Sequence, residues 1–71
     1  MKTAEYKWTY NKLHHIFVEV SMGRGNHGSF LKAFSEAFLN ADMQNAVILH
    51  KAAEELVEKY RLTLYLDNFM E

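Results

Sequence analysis

The hexapeptide Gly23-Arg24-Gly25-Asn26-His27-Gly28 spells G-x-G-x-x-G and runs directly into SFLKAFSEAFLN, a stretch with helical periodicity. In a dinucleotide-binding loop such glycines let the backbone approach a pyrophosphate held at a helix N-terminus. That chemistry also needs a strand leading in, a parallel sheet around it, and an acidic residue roughly 20 positions on. A chain of 71 residues with three helical patterns has no room for a doubly wound sheet. Asp42 stands too near for the ribose role and serves better as a helix cap, and no Gly-Lys-Ser or Gly-Lys-Thr completes a Walker loop. The glycines therefore read as a turn. Gly23 ends one helix, Gly25 and Gly28 supply conformations other residues resist, and Ser29 caps the next helix. A secondary reading is an anion, or a partner's carboxylate, held by free N–H groups at that helix start with Arg24 and His27 beside them.

The four histidines invite a metal search. His15 with Glu19 and His50 with Glu54 are i, i+4 pairs, so each presents two ligand types on one helix face. Two such pairs brought together would suit Zn²⁺ or Fe²⁺ in a bundle. Neither shows the Glu-x-x-His order such bundles use, so no metal and no cofactor is expected. Catalysis has less support still. There is no cysteine, and Ser21, Ser29 and Ser35 lie outside any G-x-S-x-G elbow. Glu54, Glu55 and Glu58 read as the wet face of a helix, and so small a body encloses no cleft for paired carboxylates. Tyr6, Trp8 and Tyr10, interleaved with Lys7 and Lys12, resemble a stacking platform for nucleic acid. They equally suit a small core, or the anchors of a protein interface.

These residues must be positioned by short elements, because the chain has no proline and its three glycines cluster at one break. Leu13, Ile16, Phe17 and Val20 follow i, i+3, i+4, i+7 and predict a helix over about 12–22, capped by Asn11 and closed by Gly23. The rival is a strand, since Ile16, Val18 and Val20 alternate. Phe30, Phe34, Ala37, Phe38 and Ala41 predict a second helix over about 30–41. Asp42 caps a third, over about 43–60, with Leu49, Ala52, Ala53, Leu56, Val57 and Tyr60 inward. Lys51–Glu55 and Glu55–Lys59 pairs support its outer face. At the ends, 5–10 and 61–66 alternate like strands and would pair as a ribbon; alternatively the last helix simply continues. The expected class is a mainly α, compact three-helix single domain.

Size and charge bound the partners. A domain this small buries roughly 60% of its unfolded surface and gains from a partner chain. No apolar run reaches the roughly 18 residues of a membrane span, and MKTAEYKWTY lacks the apolar core of a secretion signal. A cytoplasmic protein without membrane contact is expected. The net charge is −1. Residues 1–35 hold five basic and two acidic side chains (+3), and residues 36–71 hold three basic and seven acidic (−4). That overall balance disfavours a general nucleic-acid binder.

The segment GNHGSFLKAFSEAFLNAD, continued by AAEELVEKY, resembles a group of very small uncharacterised proteins encoded by phages, prophages and related mobile elements of bacteria. The likeness covers about residues 25–60 and carries over no catalytic or binding residue. With such an origin the partner would be a host factor. Inhibition of a defence system such as CRISPR would suit the size and the acidic half, with glutamates imitating phosphates.

The sequence thus predicts a non-enzymatic module that binds another protein or itself. Its candidate contact residues are Tyr6, Trp8, Tyr10, Arg24, His27, Glu54, Glu55 and Glu58. The alternatives are a nucleic-acid-binding regulator using the basic N-terminal half, and a helical metal-binding protein.

Overall fold

The computed structural model describes residues 6–67 and 69, and the described residues are mainly helical. Three α-helices run in chain order: α1 (Tyr10–Ser21), α2 (Ser29–Asn40) and α3 (Met43–Tyr60). Short 3₁₀ segments occupy Arg24–Asn26 and Leu62–Leu66. None of these helices is long and apolar enough to cross a membrane.

The α1 start lies two residues before the expected one. Thr9, in extended backbone, accepts a hydrogen bond from the Lys12 N–H at 3.2 Å through its hydroxyl. Asn11 is therefore inside the helix and Thr9 is its cap. At the other end the chain turns at Gly23, whose φ of +90° is left-handed and suits glycine. The inner face of α1 is the one periodicity predicts: Leu13, Ile16, Phe17 and Val20 are all buried.

On α2 the inner face is rotated from the expected stripe. Leu31, Ser35 and Phe38 are buried and Phe34 is half-buried, whereas Phe30 is 60% exposed and Ala37 is exposed. Leu31, Phe34, Ser35 and Phe38 also follow i, i+3, i+4, i+7. The serine disguises the face, and its hydroxyl is satisfied by donating to the Leu31 carbonyl at 2.7 Å. Gly28, not Ser29, occupies the cap position of this helix.

Asp42 caps α3 as expected, accepting from the Asn45 N–H at 2.9 Å. The helix ends where Arg61 takes left-handed angles (φ 57°, ψ 47°). That residue overturns both readings of the C-terminal stretch, the continued helix and the strand. Leu62–Leu66 winds at three residues per turn, so Leu62 and Tyr65 share a face. Leu62 is wholly buried, Tyr65 half-buried, and Leu64 is 54% exposed. Alternating leucines mimic a strand here, because a 3₁₀ segment of five residues is too short to show a period of its own. No strand occurs among the described residues. The ribbon predicted for 5–10 and 61–66 is thus absent, with residue 5 outside the described part.

The core is built where α1 crosses α2 and the C-terminal 3₁₀ segment folds back on α1. Phe17 meets Phe34 edge-on (centroids 5.4 Å, 62°) and Phe38 at 5.3 Å. Ala53 and Val57 of α3 and Leu62 complete it. Each large side chain sequestered here contributes about 1.5–3 kcal/mol of transfer free energy. Toward its N-terminal end, α3 contributes only Ala46 and His50 to the buried set, and Ala52 is exposed rather than inward. The N-terminal segment packs on this half of the helix at His50.

Candidate interaction site

The N-terminal segment, residues 6–9, lies across α3 and is held by main-chain recognition. The Trp8 N–H donates to Glu54 Oε2 at 2.9 Å, and His50 Nε2 lies 3.0 Å from the Trp8 carbonyl. A carbonyl only accepts, so His50 Nε2 carries the proton. Glu54 Oε2 stands 3.4 Å from the same nitrogen. One turn of α3 thereby satisfies both main-chain groups of a single residue. This explains why a histidine and a glutamate are buried at 6% and 8% exposure. The Tyr6 ring stacks on the imidazole at 3.6 Å and 28°, and Lys7 pairs with Glu58. That bond, then the charge of Glu58, holds the Lys7 ammonium above the ordinary lysine range.

Beside this clasp runs a groove of 390 Å³. Tyr6, Trp8 and Tyr10 wall one side; Met43, Ala46 and Val47 from the first two turns of α3 form the other. Met43 is 81% and Val47 59% exposed, and Ile48, outside the groove on another side of the helix, is 72% exposed. The sequence reading missed these three. Their signal was present, since Val47 and Ile48 are β-branched residues off the predicted inner stripe of a well-defined helix.

The glycine turn is closed by the opposite end of the chain. Tyr65 donates its hydroxyl proton to the Arg24 carbonyl at 3.0 Å and accepts from His27 Nε2 at 2.9 Å. Gly25 has φ +74°, and a Cβ there would stand 2.5 Å from both the His27 Nε2 and the Tyr65 oxygen. Its glycine is required by a tyrosine latch. Burial raises the Tyr65 phenol above its ordinary value, with Glu19 adding and Arg24 opposing. Arg24 Nε lies 3.0 Å from Glu19 Oε1.

The candidate residues thus fall into separate places. Tyr6, Trp8, Tyr10, Glu54 and Glu58 meet at the N-terminal clasp, while Arg24 and His27 serve the turn. Glu55 is exposed and takes no part in the clasp. Glu54, expected on the wet face, is turned inward because the Trp8 amide needs an acceptor. The two histidine–glutamate pairs do not converge. His15 packs near Phe69 (4.9 Å) and His50 faces Tyr6. Among the described residues no three His, Cys, Asp or Glu side chains gather as a metal site.

Comparison with known proteins yields no match: no family model, no curated protein and no solved structure matches this chain.

Proposed function

We propose that this chain is a non-enzymatic protein-interaction module whose partner docks in the groove between the N-terminal segment and the start of α3. The observation that carries this reading is the exposure of Met43 and Val47 beside Tyr6 and Tyr10 in one 390 Å³ depression. Aromatic side chains and methionine are the usual anchors of interfaces. The reactive residue types give no competing reading. Ser35 and Ser21 donate to the carbonyls of Leu31 and Val18, and His50 is committed to Trp8. The net charge of −1 favours protein over nucleic acid. One side of each tyrosine is already occupied, Tyr6 by His50 and Tyr10 by His14 and Phe38. Phosphate imitation by glutamates loses support, because Glu54 and Glu58 are engaged within the chain.

The test is affinity capture from the source cell, comparing wild type with Val47→Asp and with Phe30→Asp as an exposed control outside the groove. A protein retained by wild type and the control but lost with Val47→Asp is the expected result. Equal retention by all three, with unchanged melting, overturns the assignment.

A further inference from the structure

We infer that residues 6–9 form a strap that opens from α3 as a unit while the three helices stay folded, so that its closure sets what fraction of molecules carries the groove. This rests on the reading of the groove as a protein-binding surface and adds how that surface is regulated. The strap supplies Tyr6, Lys7, Trp8 and Thr9 to the lining, opposite Met43, Ala46 and Val47 of α3. When the strap leaves α3, that wall leaves with it. A partner touching both walls binds the closed state alone, and its apparent affinity falls with the open fraction.

The strap is a separate and weaker unit than the core. Among the described residues the buried core cluster runs from Leu13 to Leu62, and Trp8 packs against it only partly buried. Tyr6, Lys7 and Thr9 are exposed. A segment with so few buried apolar contacts opens locally, without global unfolding. Its hold on α3 is polar: Glu54 and His50 bind the Trp8 N–H and carbonyl, and Lys7 pairs with Glu58, whose side chain is 47% exposed. On opening, water replaces the lost partner on both sides of each bond, which returns most of its free energy. The hinge is in place as well. Thr9 stands in extended backbone and caps α1 through its own hydroxyl, so α1 keeps its first turn when the strap swings away.

Amide hydrogen exchange of the whole chain, followed by NMR, is the test. The Trp8 amide is expected to be protected roughly ten- to a hundredfold relative to an unstructured peptide, and roughly tenfold or more below the amides of Phe17 and Val57. Its protection should stay constant as mild denaturant is added, whereas theirs falls. Protection of Trp8 equal to that of Phe17 and Val57, with the same denaturant slope, overturns the inference, because the strap would then open only by global unfolding. A wholly unprotected Trp8 amide overturns it too, since no closed state would be populated. Among the described residues, Glu54 does not line the groove. Glu54→Ala should nevertheless lower Trp8 protection by roughly fivefold and reduce the protein captured through the groove, with helix content by circular dichroism unchanged. Glu55→Ala is the control and should do neither. Capture that Glu54→Ala leaves unaffected overturns control of the groove by the strap. The exchange measurement needs no partner, so this inference and the groove's assignment fail separately.

Discussion

Glu54 accepts a hydrogen bond from the backbone nitrogen of Trp8 at 2.9 Å across 46 positions of sequence. This bond, with His50 on the carbonyl of the same residue, fastens the N-terminal segment to α3 and so builds one wall of the groove. The wall exists only while the clasp is closed. Binding and local stability are consequently coupled.

Glu54→Ala leaves the part-buried Trp8 amide without its acceptor, which costs about 1 kcal/mol. The loss is expected in two readouts at once. The melting temperature falls, and the Trp8 emission shifts toward that of a solvated indole before the main unfolding transition. Glu54→Gln retains an acceptor oxygen and should recover most of both. A single transition with native-like emission in Glu54→Ala would mean that the clasp does not hold the segment.

The glycine turn supplies a ranking. A Cβ at Gly25 would stand 2.5 Å from His27 Nε2 and the Tyr65 hydroxyl, whereas none would meet anything within 4 Å at Gly23. Both residues have positive φ, so alanine is strained at each by about 1–2 kcal/mol. Gly25→Ala must also displace the latch and should be the more destabilising of the two. Chemical denaturation of both variants decides it, and equal midpoints would remove the latch from the account.

Tyr65 gives the pH dependence. Its phenol is raised above the ordinary value of 10.0, chiefly by burial, so the folded state favours the protonated form. The associated stability is fully present below about pH 10 and is lost as pH rises through the raised folded value. Comparing wild type with Tyr65→Phe isolates this contribution, since the phenylalanine cannot titrate. The stability gap between them should be constant from pH 7 to 9 and close above pH 10. A gap that persists to pH 11.5 would contradict the assignment.

Where local chemistry decides structure, the sequence announces it. The Asp42 cap and the run to Tyr60 delimit α3 to the residue, and the apolar spacing of α1 names its buried face. Polar residues hide the rest. Ser35 is buried because it bonds its own helix, so a pattern of apolar types finds Phe34 and Phe38 on the α2 face but puts Phe30 and Ala37 where Leu31 and Ser35 belong. His50 and Glu54 look like solvated helix residues until a chain segment 46 positions earlier brings an amide to them. Leu62, Leu64 and Leu66 alternate, and nothing local says that Arg61 reverses the chain into a 3₁₀ turn. Half of the groove is legible: the spacing of Tyr6, Trp8 and Tyr10 points to its aromatic wall, while Met43 and Val47 lie off the predicted inner stripe of α3.

Arg61 itself yields the last prediction. It is an exposed non-glycine residue at φ 57° and ψ 47°, directly after α3, with its N–H bonded back to the Glu58 carbonyl at 3.3 Å. An L side chain in this conformation costs roughly 1–2 kcal/mol, and glycine is the residue helices most often place there. Glycine also loses about 0.4–1 kcal/mol through the greater freedom of its unfolded chain. The midpoints of these ranges favour Arg61→Gly by about 0.8 kcal/mol. In a domain of this size that corresponds to a melting temperature higher by roughly 2–8 °C. Arg61→Ala keeps the Cβ and should show no such gain, which separates relief of backbone strain from removal of the charge. A glycine variant no more stable than the alanine variant would mean that the turn into Leu62–Leu66 is not strained at this residue.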